Sequence, residues 1–148
     1  MKRLRGWAPA LLWMGVIYAM SAMPGNTSGE TSGRLTELAF KIISLLFGRK
    51  AAGISADELH LLIRKAAHMT EYAILFLLFQ RALRMEGAKR PGLYALAMCA
   101  AYAGTDEFHQ KFVDGRGPSV IDVGIDTLGA AIAWGMTRMI SIIKRKRS

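Results

Sequence analysis

A single cysteine, Cys99, stands in 148 residues, inside an apolar stretch. That excludes an internal disulfide framework and a multi-cysteine zinc or iron–sulfur cluster, and Cys99 reads as a small core residue. Charge is scarce as well: Asp, Glu, Lys and Arg make up 21% of the chain. Acid is the scarcer sign, with 11 Asp and Glu against 20 Lys and Arg, a formal net charge of +9. In a soluble protein that balance points to nucleic acid, but here the basic residues flank apolar blocks, so nucleic acid is not an expected partner. What the chain has in abundance is apolar residues, 52% of the total, which excludes a disordered chain. The length fits one domain over 1–148 with one functional site.

A bilayer core about 30 Å thick needs roughly 20 mainly apolar residues per helix. Four segments qualify, at about 7–23, 66–83, 93–108 and 120–143. The expected fold is all-α, a four-span transmembrane helix bundle. Lys2, Arg3 and Arg5 precede the first segment, and Met20-Ser21-Ala22 at its end is compatible with signal-peptide cleavage. A retained helix is the reading adopted, because three helices would not enclose the polar residues described below. Basic clusters at Lys2, Arg3 and Arg5, at Arg81, Arg84, Lys89 and Arg90, and at Lys144 to Arg147 fall on one side of a four-span topology. By the positive-inside rule that side is the cytoplasm, which predicts a multi-pass membrane protein with both termini cytoplasmic. Arg34, Arg49, Lys50, Arg64 and Lys65 on the other side dilute the bias. In the first outer connection Leu35, Leu38, Ile42, Leu45 and Leu46 recur at helical spacing, which predicts an interfacial amphipathic helix. Ser55 and Glu58 then form a capping box opening a helix that continues into the second span.

Ionisable residues inside the spans carry the functional information, since an Asp at mid-bilayer costs about 2.5–3.5 kcal/mol on insertion scales. His68 and Glu71 share a face of the second span, with Lys65 one turn earlier. Asp106 and His109 repeat the spacing in Asp106-Glu107-Phe108-His109-Gln110, and Asp122 and Asp126 lie one turn apart after Arg116. All fall toward the outer side of the predicted topology, so they are expected to converge on an outward-facing polar pocket instead of facing lipid. Three chemistries remain open. Carboxylates and imidazoles on facing helices can ligate a metal, although the pattern names no particular metal or cofactor. They can equally form a hydrogen-bonded network that locks the helices together. Alternatively, Lys65 and Arg116 bind a phosphate while His68 or His109 acts as nucleophile or general acid, with Glu71, Asp106, Asp122 or Asp126 orienting it. The spacing of Arg116, Asp122 and Asp126 is similar to an Arg-x5-His-x3-Asp element of type 2 phosphatidic acid phosphatases. Asp122 replaces that His and the Pro-Ser-Gly-His segment is absent, so the mechanism does not transfer. Clustering at one leaflet argues against an ion-coupled transporter.

Several of these residues fall in longer motifs: Ser21-Ala22-Met23-Pro24-Gly25, Arg64-Lys65-Ala66-Ala67-His68-Met69-Thr70-Glu71-Tyr72, Ala103-Gly104-Thr105-Asp106-Glu107-Phe108-His109-Gln110, and Gly115-Arg116 followed by Asp122, Asp126, Thr127, Leu128 and Gly129. In this order they resemble the VanZ-like family of small bacterial membrane proteins, with Met23 where a Gln is common. The resemblance implies a multi-span protein of the cell envelope, and the family's namesake is associated with resistance to the glycopeptide teicoplanin. The expected role is binding of a lipid-linked or glycopeptide ligand by Lys65, Tyr72, Glu107, Gln110 and Arg116, with membrane lipids as neighbours. The alternative is a membrane-embedded hydrolase or phosphatase acting on a lipid head group, with His68, Glu71, Asp106, His109, Arg116, Asp122 and Asp126 as its catalytic set.

Overall fold

The computed structural model describes residues 2–24, 33, 37, 38, 41 and 55–147. Among them are four long helices and no strand: α1 (Lys2–Ser21), α2 (Ala56–Met85), α3 (Pro91–Gln110) and α4 (Val120–Arg147). Most of the amphipathic stripe expected near Leu35 to Leu46 lies outside the described residues; Leu38 is helical and exposed.

Each helix starts and stops for a local reason. Ser55 caps α2: its hydroxyl accepts the Glu58 amide at 3.2 Å, and the Ser55 amide donates to Glu58 Oε2 at 2.8 Å. The predicted continuity into the second span holds, because nothing between Ala56 and Met85 interrupts the 30-residue helix. Gly87, at φ 75°, supplies the left-handed residue that ends it. Pro91 then opens α3 at a position where a missing N–H costs nothing. A second left-handed glycine, Gly115 at φ 72°, turns the loop between α3 and α4.

Cross-helix contacts fix the directions. Trp7 near the start of α1 donates to Glu86 just past α2, at 2.8 Å, so these two run antiparallel. His68 faces Asp126 and Gln80 meets Thr137, so α2 and α4 run parallel. Helices α2 and α3 each pack against all the others. The packing pairs bulk with absence of bulk: α2 contributes Tyr72, Leu75, Phe76 and Phe79, while α3 offers Ala95, Cys99 and Ala103 and α4 offers Ala130 and Ala133. Small residues at i, i+3 and i, i+4 spacing let the helix axes approach, and the α2 rings fill the groove between them.

The closest approach is at Gly129. A Cβ there would overlap the Met69 carbonyl oxygen and stand 2.7 Å from Met69 Cα. Because the obstacle is backbone, α2 would have to move as a whole.

The polarity of the bundle is inverted relative to a water-soluble one. Asp126 is fully buried and Asp106, Glu107 and Gln110 nearly so, while Leu12, Ile121, Met139, Ile142 and many other large apolar side chains face outward. By length and composition, α4 alone among the described helices is apolar enough to cross a membrane. The others fall short because α2 and α3 carry the ionisable residues singled out above and α1 carries Trp7, Pro9, Trp13 and Tyr18.

Two outcomes follow. Gly129→Ala should lower the thermal unfolding midpoint of the detergent-solubilised protein, a loss of about 1–3 kcal/mol from overpacking. Gly124→Ala, whose Cβ meets nothing within 4 Å, should be neutral, and equal melting of the two variants would refute the close approach. At the start of α2, the Ser55 amide and then its hydroxyl hold the Glu58 carboxyl below its ordinary value of 4.5. A lowered carboxyl stabilises above its unfolded value and loses that contribution as the pH falls through the folded one. Amide-exchange protection at Glu58 and Leu59 should therefore drop in acid, and Glu58→Gln, which removes the titrating carboxyl, should abolish the dependence.

Candidate functional site

The polar residues of three helices meet at the end of the bundle formed by the C-termini of α1 and α3 and the N-terminus of α4. Asp126 projects from α4 toward α2, where His68 Nδ1 lies 3.5 Å from Asp126 Oδ1. The imidazole is 21% exposed and the carboxylate not at all. A buried carboxylate needs a facing cation or donor, and His68 is the group placed to supply it. Gly129, one turn after Asp126, touches the backbone of Met69, the residue after His68. The close approach and the His68–Asp126 pair are thus one contact read at two heights.

Helix α3 contributes Asp106, Glu107, His109 and Gln110. Gln110 donates from Nε2 to Ser21 Oγ at 3.0 Å, tying α3 to the last turn of α1. The His109 ring stacks on Tyr18 with centroids 4.6 Å apart. Glu107 Oε2 accepts the Ser119 amide at 2.8 Å and so holds the loop that enters α4. From that loop Arg116 returns across the end of the bundle and donates to the Met20 carbonyl at 3.4 Å. Burial pulls the guanidinium below its usual value, with Arg64 adding to the shift and Asp106, Glu107 and Glu71 opposing it.

Glu71 lies within electrostatic reach of His68, Asp126, Asp106 and Arg116, which places the acids of α2, α3 and α4 around one volume. Tyr72 is fully buried beside Tyr102, ring centroids 6.3 Å apart, and Tyr102 in turn donates to the Met14 carbonyl at 2.7 Å. Two sequence candidates stand apart. Lys65 makes no contact with the cluster among those described. Asp122 lies near enough to act on Glu107 electrostatically, but Arg116 reaches for Met20 and not for Asp122.

Eight buried side-chain polar atoms among the described residues have no hydrogen-bond partner. They are His68 Nδ1 and Asp126 Oδ1, which face each other at 3.5 Å in the ion-pair contact above, with Asp126 Oδ2, Tyr72 Oη, Asp106 Oδ1, Glu107 Oε1, His109 Nε2 and Arg116 Nε. Every one belongs to this cluster, whereas buried polar atoms are ordinarily paired. Donors and acceptors are both represented, so the chemistry fits a ligand rich in hydroxyl, amide or phosphate groups. A metal fits less well: among the described residues no three His, Cys, Asp or Glu side chains converge as a ligand set.

Ser21, Tyr18 and Ser119 were not singled out from the sequence as site residues. Ser21 is the one with a visible signal, a small polar residue closing an apolar run just before Pro24. Tyr18 and Ser119 act through geometry that appears only when α1 and the loop fold against α3.

An all-helical chain with an apolar exterior and a buried, incompletely paired cluster of His, Asp, Glu and Tyr at one end defines the class of protein. The family model described as VanZ/LLP1 matches residues 7–142, and the chain belongs to that family. Comparison with curated proteins and with solved structures gave no match.

Removing one partner of the buried pair tests its worth. His68→Ala should destabilise the protein by roughly 1–3 kcal/mol by leaving the Asp126 carboxyl without a partner. The double variant His68→Leu/Asp126→Leu should recover most of that loss in thermal melting. Additive losses in the pair of single and double variants would show that the two groups do not interact.

Proposed function

We propose that the chain is a multi-pass protein of the bacterial inner membrane in which α1 to α4 each cross the bilayer, with both termini cytoplasmic. Three observations support this reading: the outward apolar faces, the enclosure of the ionisable groups at one end, and the gathering of Arg84, Lys89, Arg90 and Lys144 to Arg147 toward the other. On this topology the polar cluster opens outward.

At that end the protein binds the polar part of a lipid-linked cell-wall precursor or a glycopeptide, and so alters susceptibility to teicoplanin-type antibiotics. The observation that carries this is that, among the described residues, the eight buried side-chain atoms without a hydrogen bond are all in the one cluster. A hydroxyl- and amide-rich ligand satisfies both the donors and the acceptors among them. Membrane lipids are the expected neighbours of the bundle.

A second reading, hydrolysis of a lipid head group, is favoured by His109 specifically. Its ring is fixed against Tyr18 while Nε2 remains buried and unpartnered, the state a general acid or base requires.

The test uses bacteria producing the full chain, Asp106→Asn or Tyr72→Phe at matched abundance. The wild-type protein should change teicoplanin susceptibility several-fold and both variants should lose the effect. Purified protein should bind teicoplanin or a lipid-linked precursor without turnover. Unaltered susceptibility in all strains together with no binding would overturn the proposal. Release of phosphate or head group, abolished by His109→Ala, would establish the hydrolase instead.

A further inference from the structure

The opposite end of the bundle holds a cleft of about 900 Å³ that the polar cluster does not reach. Arg84 from the end of α2, Lys89 and Arg90 from the connection, and Arg138 from α4 all line it, and no carboxylate does. The acid nearest in sequence, Glu86, is engaged elsewhere, accepting the Trp7 indole N–H at 2.8 Å. Four cations around one concavity repel each other unless an anion lies between them.

The surroundings are built and not merely charged. Gly92 forms part of the wall, where a Cβ would stand 2.9 Å from Trp134 Cδ1, so the start of α3 is seated directly against the Trp134 ring. Arg138 lies over the same ring, 5.5 Å from its centroid, which orients one guanidinium toward the cleft while its charge stays available. The first turn of α3 opens here with no side-chain cap at Arg90 and with Pro91 at its first position. An uncapped helix start favours negative charge and adds to the four side chains. Leu93 and Ile142 also line the cleft and are 43% and 58% exposed, so the exposed cations stand beside an apolar margin.

We propose that this cleft is a binding site for a phosphate group, held by Arg84, Lys89, Arg90 and Arg138 at the start of α3. The apolar margin favours an anionic phospholipid as the source, its head group among the cations and its acyl chains along Leu93 and Ile142. The proposal does not depend on the ligand of the polar cluster, which lies at the other end.

The experiment titrates full-length, detergent-solubilised protein with short-chain phosphatidylglycerol, short-chain phosphatidylcholine and inorganic phosphate, following tryptophan emission. Trp134→Phe identifies the part of the signal that arises in the cleft. Phosphatidylglycerol should saturate that signal at concentrations at least tenfold below phosphatidylcholine. Arg84→Gln/Arg90→Gln, both at exposed positions, should weaken binding at least tenfold with unchanged helix content and melting. If inorganic phosphate saturates the signal as tightly as phosphatidylglycerol, the site stands with soluble phosphate as its source. The proposal is overturned if neither phosphate probe saturates the signal. It is equally overturned if the folded double variant, and the triple variant that adds Arg138→Gln, bind as the wild type does.

Discussion

The contact on which the rest depends is the seating of Gly129 against the backbone of Met69. It sets the separation of α2 and α4 at the depth where His68 and Asp126 face each other, and a carboxylate with no exposure tolerates little error in that spacing. Were α4 a side chain's width further out, the imidazole would lie too far away to act on it. Small residues serve the same end further along, Ala130 and Ala133 on α4 and Ala95, Cys99 and Ala103 on α3, where they receive the rings of α2. Close packing and buried polarity are therefore linked: the first places the groups that make the second tolerable.

That link explains why the two ends of the bundle differ. At the end with Ser21 and Arg116, polar side chains are drawn inward and tied to a loop or a neighbouring helix by single hydrogen bonds, such as the Ser119 amide to Glu107 and Gln110 to Ser21. At the other end the cations remain at the surface of a cleft, and Trp134 there is packed on a glycine. One end uses its polar groups for internal order and leaves some over; the other keeps the cations of its cleft exposed.

Much of the fold was legible because each predicted span coincides with a helix and because the caps are local. Ser55 and Glu58 announce the start of α2 three residues apart, and Gly87 with Pro91 announces the reversal into α3. The segment from Pro24 to Ser55 was less informative, since its amphipathic spacing describes a face without saying what the face meets. Within the site, residues sharing a helix were readable from spacing, as with Asp106 and His109 or His68 and Glu71. Pairings between helices were not. Nothing in the sequence distinguishes Asp126 from Asp122 as the partner of His68, and the distinction follows only from the register that Gly129 imposes. Likewise nothing in the spacing of Arg116, Asp122 and Asp126 shows that the loop carries Arg116 over α1 to the Met20 carbonyl.

The division between occupied and unoccupied hydrogen-bonding atoms within single residues bears on what the cluster is for. Glu107 commits Oε2 to the loop and leaves Oε1 unpartnered; Arg116 commits Nη2 and leaves Nε; His109 commits its ring face to Tyr18 and leaves Nε2. A network whose purpose was helix adhesion would use its donors on its own acceptors, since each buried atom left over costs roughly 1–3 kcal/mol. Here donors such as Tyr72 Oη and Arg116 Nε and acceptors such as Asp106 Oδ1 coexist, buried, without satisfying one another. Glu107, Arg116 and His109 are thus each fixed through one part and leave another polar atom unpaired, and it is this feature on which the proposed ligand site rests.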